Sequence, residues 1–426
     1  MRRGLIHAAA VVIGLVSGID VPVMAADEVP AAPAAQITDP APPPPTQPAT
    51  LAPVRYADMP GWRRDDHASA FTAFLRSCDR LLATADQADP SSSLHASRAA
   101  LIEVCRQART RADERNAPRH GPGTLPRRQA QAFFEHFFLP HRVVRIGARG
   151  LLTGYYEPQL DGSRVQTARF RVPLYRRPPD LENVVAEAER GASGIAYSHM
   201  QRTPQGLVPY PTRTDIEAGA LAGKGLELIW LTEPVEAFFL QIQGSGVIRF
   251  PDGSSVRVTY DGKNGHPYTS IGRYLIDQGV IGATSMTLDR LGAYLRADER
   301  RGREVMQQNA SFVFFRELSP AEGERALGAM GIGLTAGRSL AVDASVHTLG
   351  TPIYVVAPTL RHAVPNRPFQ RLMVAQDVGS AIRGPERGDI FFGSGERAGA
   401  LAGVTKEHGQ FFVLVPRSGI SRAAAR

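Results

Sequence analysis

From residue 141 to residue 416 the chain is a succession of short apolar runs cut by Gly, Pro and Asp, and this rhythm restricts the fold more than any other feature. HRVVRIGARGLLTGYYEPQLDGSR has alternating strand chemistry and then turn formers at Pro158, Asp161 and Gly162. GLELIWLTEPVEAFFLQIQGSGVIRFPDGSSVRVTYDGKNGHPY reads as further short strands separated by PDG and DGKNG turns. Strands of this length and spacing indicate a barrel. Helical pattern interrupts them at TDIEAGALA, SIGRYLIDQGVI and SMTLDRLGAYLRADERRGREVMQQN, and a last strand-rich block covers residues 311–416. No internal repeat of fixed period is present.

Ahead of the strands the period is helical. Phe71, Phe74, Leu75, Cys78, Leu81 and Leu82 recur at three-and-four spacing, and Leu94, Leu101, Val104 and Cys105 do so in a second segment that follows a Pro90 start signal. A third helix runs through RRQAQAFFEHFF and ends at Pro140; its Phe133, Phe134, Phe137 and Phe138 belong in a core. His67, His136 and His141 have no metal-ligand spacing and read as helix-surface or helix-end residues. Cys78 and Cys105 are the only cysteines. In an exported chain they can pair or stay free, and the sequence leaves both open.

Export is indicated by residues 1–26, where Arg2 and Arg3 precede an apolar run over residues 5–16 and small residues end in Ala25 and Ala26. That order is a secretory signal, and the run is shorter than the roughly 20 residues a membrane span needs. No cysteine lies near the cleavage region, which argues against lipid attachment there. Residues 27–54 are rich in Pro and Ala and read as an extended tether, with folded sequence beginning near Arg55. The formal charge of +8 is spread along the chain and falls by one with the leader. A moderately basic exported protein suits an anionic polymer and gives no reason to expect nucleic acid.

Candidate chemistry gathers in the last block. Asp343 in SLAVDASVHTLGTPIYV, Asp377 in MVAQDVGSAIRG and Asp389 in RGDIFFGSG each sit in strand-like apolar sequence with glycine close by. Partial desolvation raises a carboxyl pKa toward the range of a general acid near neutral pH, and a second carboxylate nearby raises it further. Asp389, among Ile390, Phe391 and Phe392, has the most apolar setting; Glu386 competes for the role but lies in a polar turn, where an ordinary pKa is expected. Tyr155 and Tyr156 offer aromatic ring faces to a ligand, and strand alternation lets only one face a groove. Gln241, Gln243 and Ser245, read on a strand, put both glutamines on one side as a polar wall. Lys263, Asn264 and His266 fall in a glycine-rich turn, while Gly384, Gly393 and Gly395 either admit close approach of a ligand or only permit turns. No metal-ligand cluster stands out, and no cofactor is implied.

GYYEP (residues 154–158), YPTRTDIEAGAL (210–221), FFLQIQGSG (238–246), YDGKNGHPYTSIGRYLI (260–276) and the three-aspartate block occur in the order in which the membrane-bound lytic transglycosylase A family carries them. The resemblance covers about residues 134–416. It implies a mainly β protein with N-terminal helices: a double-psi β-barrel domain formed by residues 55–160 and 321–418, a smaller β domain of residues 161–320 inserted between them, and a groove separating the two. It further implies a periplasmic monomer, with peripheral association to the membrane or wall proteins compatible with its class, that cleaves glycan strands of peptidoglycan without water and leaves 1,6-anhydromuramoyl ends. Asp389 aligns with the family's catalytic acid and base, Asp377 with its second aspartate, and Asp343 with a third expected to hold the barrel together. Two other classes fit the same residues: a non-catalytic, expansin-like glycan-binding module, and a glycoside hydrolase with Asp389 as acid and Asp377 or Glu386 as base.

Overall fold

The computed structural model describes residues 49–86, 97–115, 125–145, 149–184, 197–322, 325–364 and 367–417. The leader and most of the tether lie outside the described residues. The end of the tract expected to be tether is a strand: β1 (Thr50–Pro53) pairs antiparallel with β2 (Phe138–Val144), Thr50 opposite Val144, so folded sequence starts earlier than Arg55.

Three helices fall where the apolar spacing puts them: α1 (His67–Ala83), α2 (Arg98–Arg115) and α3 (Arg127–Phe137), while Pro90 and Leu94, expected to start the second, lie outside the described residues. Asp66 starts α1 by accepting the Ser69 N–H at 3.2 Å, one of the donors a helix N-terminus leaves unsatisfied. Cys78 and Cys105 are joined in a disulfide that clips α1 to α2. Phe71, Phe74, Phe133, Phe134 and Phe138 are buried together with ring centroids 5.0–6.3 Å apart, each burial contributing about 1.5–3 kcal/mol. His67 is at a helix end as expected but is buried against Trp62, centroids 4.5 Å apart.

Strand β3 (Gly150–Glu157) leads across Pro158 into an inserted body: β4 (Gln159–Ser163), β5 (Val172–Tyr175), β6 (Leu181–Asn183), β7 (His199–Thr203), β8 (Gly206–Val208), the single turn α4 (Arg213–Asp215), β9 (Glu227–Leu231), α5 (Pro234–Gln243), β10 (Ser245–Arg249), β11 (Ser255–Lys263), α6 (Ile271–Asp277), α7 (Leu288–Arg296), α8 (Glu299–Met306) and β12 (Val313–Glu317). Its main sheet has the order β12-β11-β10-β4-β9-β5, and β6, β7 and β8 form a small sheet beside it. The chain then returns through β13 (Ser339–Val342), β14 (Pro352–Ala357), β15 (Phe369–Val378), β16 (Arg387–Ser394), α9 (Glu396–Gly403) and β17 (Lys406–Pro416).

Six strands, in the order β17-β14-β15-β13-β16-β3, close on themselves because β17 also pairs with β3. The closure leaves no free edge on those strands. Ile353, Val355, Leu340, Val342, Met373, Ile390, Phe411 and Val413 fill one core, while Tyr354, Val356, Leu372, Val374 and Phe412 point the other way and pack under the helices. Both faces of β13 and β14 are buried at every position, which is why SLAV and PIYVVA run apolar without alternation.

Candidate active site

Register assembles the acidic site. Parallel pairing sets Asp389 of β16 opposite Thr153 of β3, antiparallel pairing sets the same Asp389 opposite Ala341 of β13, and β13 in turn sets Ala341 opposite Asp377 of β15. The two aspartates thus stand in one row across the barrel wall with a small residue between them, roughly 10 Å apart at the backbone by two inter-strand spacings. They line a cavity of about 660 Å³ whose opposite side is the inserted body.

The Thr153 hydroxyl donates to Asp389 Oδ1 at 2.6 Å, and Arg387 Nη2 donates to the same hydroxyl oxygen at 2.9 Å. Asp389 Oδ2 has no protein hydrogen bond among the described residues. Asp377 has both oxygens engaged: Oδ2 accepts the Tyr155 hydroxyl at 2.8 Å, and Oδ1 accepts the backbone N–H of Ala329 and of Val378, each at 2.9 Å. Burial raises the Asp389 carboxyl above its usual pKa, with the Arg387 charge and the Thr153 hydroxyl pulling it back down. Burial pushes Asp377 up to about 6, helped by the charge of Asp389 and opposed by its three hydrogen bonds. Burial and the neighbouring Asp377 hold the Tyr155 phenol well above its usual pKa, so it stays a donor.

Asp343 stands apart from this row. It is 2% exposed and accepts from Ser345 N–H (3.1 Å), Ser345 Oγ (2.6 Å) and Gly384 N–H (2.6 Å), joining the turn after β13 to the loop before β16. Gly384, with φ 104°, is turned by backbone need.

Five sequence expectations change. Gln241 and Gln243 lie on helix α5, not on a strand, although both still line the cavity with Ser245. Gln241 accepts from Arg213, and Gln243 Oε1 accepts the Tyr156 N–H at 3.0 Å. Tyr155 lines the cavity while Tyr156 lies against Gly399, as alternation requires of neighbours on a strand. Asn264 is buried outside the cavity: its Nδ2 donates to the carbonyls of Pro211 and Ala310, and its Oδ1 accepts the Phe312 N–H, which satisfies the amide with backbone. Gly393 is not in the cavity wall; it has φ 107° beside a register shift between β16 and β3. Glu386, read as lying in a polar turn, is buried, and burial raises its pKa. Lys263 ends β11 rather than sitting in the turn; it is 2% exposed, lines the cavity, and donates from Nζ to Ser380 Oγ at 2.8 Å. His266 Nε2 is 2.7 Å from the Tyr210 carbonyl and serves the loop.

Arg213 went unremarked in the sequence and is a buried cation of the site, 2% exposed. Its Nη2 donates to Gln241 Oε1 and to the Ser311 carbonyl, both at 2.6 Å, and its Nε to the Asn309 carbonyl at 2.9 Å. The guanidinium lies over Phe238 and Phe312, 4.7 and 5.2 Å from the ring centroids, and burial lowers its pKa to about 10. It fixes one wall of the cavity. Thr153, Arg387, Tyr268 and Ser380 line or build the site without a local signal, since each meets its partners through long-range pairing.

The fold and site together are a closed barrel interrupted by a β-rich body, with two acids on the wall that faces that body. Residues 151–316 match the MltA specific insert domain, and residues 338–415 match the 3D domain. The membrane-bound lytic murein transglycosylase of Agrobacterium tumefaciens superposes with a TM-score of 0.76 at 35% identity, covering 88% of this chain and 99% of that one. MltA of Neisseria gonorrhoeae gives 0.67 at 34%, over 87% and 93%. MltA of Escherichia coli, solved with bound chitohexaose, gives 0.56 at 27%, over 86% and 92%. In sequence, membrane-bound lytic murein transglycosylase A of Escherichia coli K12 is 35% identical over 266 residues, which span 62% of this chain and 64% of that protein. The chain belongs to the membrane-bound lytic murein transglycosylase A family.

Proposed function

We propose that the cavity holds a murein glycan strand and that the protein cleaves the β-1,4 bond between N-acetylmuramic acid and N-acetylglucosamine without water. The observation that carries this reading is the asymmetry of the two acids. Asp377 has both oxygens held by protein donors, whereas Asp389 keeps Oδ2 open toward the cavity. One carboxyl able to exchange a proton is what the reaction needs.

Asp389 first gives its proton to the bridging oxygen as the bond breaks. The same carboxylate then takes the proton of the muramoyl C6 hydroxyl as that hydroxyl attacks C1. The internal hydroxyl replaces the water of a hydrolase and has the effective concentration of an attached nucleophile. Burial favours the protonated starting state, and Arg387 with Thr153 favours the ionised intermediate state, so the group is balanced for both transfers. Tyr155, Gln241, Gln243, Ser245 and Lys263 supply hydroxyl, amide and ammonium groups toward sugar oxygens and acetamido groups.

Chitohexaose bound to the Escherichia coli relative supports a β-1,4 glycan as the occupant. The closed six-stranded barrel supports a double-psi barrel as the catalytic body, with the insert across a groove from it. The names of the relatives support an envelope location, and the leader-like N-terminus a periplasmic one.

Digestion of purified sacculi followed by mass spectrometry of the muropeptides tests the reading. Anhydro ends, about 18 Da lighter than reducing ends by the loss of one water, are expected. Reducing ends would make the protein a hydrolase, and intact sacculi a binding module. Asp389→Asn is expected to lower turnover by about 10²–10⁴-fold or more, the range of a lost general acid, while glycan binding persists.

A further inference from the structure

The geometry points to a second binding site at the end of the barrel where β3 and β16 begin, in which Arg142, Arg145 and Arg149 surround a cavity of about 370 Å³ that takes a phosphate-class oxyanion. It lies on a different face from the glycan cavity. Along β16, Arg387 and Asp389 line the glycan cavity, while Glu386, immediately ahead of the strand, lines this one. Three strands meet at this level: Gly150 of β3 is opposite Gly409 of β17, and Val356 of β14 is opposite Gln410.

Backbone approaches backbone closely here. A Cβ on Gly150 would come within 2.1 Å of the Gly409 carbonyl oxygen, so the floor is main chain and the walls are arginine. Charge sets the class of ligand. Three arginines share the cavity with one carboxyl, Glu386, which is 6% exposed and accepts the Phe411 N–H at 3.3 Å. Arg145 and Arg142 act on Glu386 through their charge, but among the described residues no ion pair joins them to it. The Nε of Arg145 is buried and has no acceptor. A buried N–H without an acceptor is a cost that a bound oxygen removes.

A monocarboxylate occupies one guanidinium fork. Three arginines lining one cavity match a group with more oxygens and more charge, as phosphate has. Free phosphate and a phospholipid headgroup share this chemistry, and the rim position admits either.

Isothermal titration of the full chain with inorganic phosphate at low ionic strength tests the site. Saturable binding to one site is expected, weakened about tenfold or more by Arg142→Gln or Arg149→Gln, the range of a lost charge-assisted hydrogen bond. Both of these side chains are exposed, so folding survives their replacement. Glu386→Gln is expected to tighten binding because it removes a like charge, an effect a purely structural glutamate would not give. Co-sedimentation with phosphatidylglycerol vesicles then separates the sources. Vesicle binding that phosphate displaces identifies the headgroup as ligand, and phosphate binding without vesicle binding identifies the free ion. Absence of saturable phosphate binding, or binding unchanged in both arginine variants, overturns the proposal.

Discussion

At the scale of single residues, the Thr153 hydroxyl and the Arg387 guanidinium govern how readily Asp389 parts with its proton. Both favour the carboxylate, so removing either raises the pKa of the acid. If the acid must be protonated in the free protein, kcat/KM falls as pH rises through that pKa. Thr153→Val, which keeps the shape and loses the hydrogen bond, is expected to move the alkaline limb of the kcat/KM profile to higher pH, with less than about tenfold loss at the plateau, a small part of a general acid's contribution. An unmoved limb would remove Asp389 from the acid role. Asp377 gives a stability prediction of definite sign. Its folded pKa of about 6 lies above the roughly 3.9 of an unfolded aspartate, so its contribution to stability is complete below about pH 4 and lost as pH rises through 6. The unfolding free energy of Asp377→Asn minus that of the parent is expected to increase by roughly 1–3 kcal/mol between pH 4 and 7 and then level off, as read from urea titrations across pH. The aspartates were legible in sequence because apolar neighbours announce a desolvated acid. Thr153 and Arg213 were not, because their partners lie far away in the chain: Thr153 meets Asp389 across 236 positions, and Arg213 meets Ser311 across 98.

At the scale of elements, long apolar periods read correctly and short ones did not. Helices α1 and α3 repeat their buried residues over several turns, which only a helix explains. LQIQ alternates over four residues, too few to separate a period of 2 from one of 3.6, and the segment is the end of α5. Its boundaries were written in other residues: Pro234 at the first helical position and Gly244 just past the last, with φ 77°. Thr50–Pro53 escaped because a Pro/Ala composition hides an edge strand whose pairing depends on β2, far along the chain. The cysteine pair was open in sequence because spacing cannot bring two helices together, and the packing of α1 on α2 does so. The bridge closes 27 residues, for which the chain-entropy account gives about 3–4 kcal/mol. Cys78→Ser with Cys105→Ser is expected to lower unfolding free energy by about 2–4 kcal/mol, measured by denaturant titration, and to leave turnover near that of the parent, since neither residue lines the cavity of Asp389.

At the scale of the whole molecule, the cavity exists only while barrel and insert keep their mutual position, and the chain crosses between them at Pro158, with Glu157 ending β3 on one side and Gln159 starting β4 on the other. Glu157 is fully buried at this junction. Arg257, on β11 of the insert, donates from Nε to Glu157 Oε1 at 3.1 Å, Ser394 of β16 donates to Oε2, and the Glu157 carbonyl accepts the Gly395 N–H at 2.9 Å. One carboxylate therefore ties the insert to the strand that carries Asp389. A buried ion pair adds little over an apolar pair of the same shape, but removing one partner strands the other charge, typically at about 3–5 kcal/mol. Arg257 is 26% exposed, so water partly replaces it and the lower end applies. Arg257→Ala is expected to cost about 2–3 kcal/mol in urea unfolding, and Glu157→Gln with Arg257→Ala to recover about half of that, because the double change removes the stranded charge. Turnover on glycan is expected to fall in the single variant at temperatures where it stays folded, through a higher KM, since the lost tie lets the two walls of the cavity shift relative to each other. Equal KM values for the parent and a folded Arg257→Ala protein would mean that the junction holds its geometry through the β3 to β4 backbone alone.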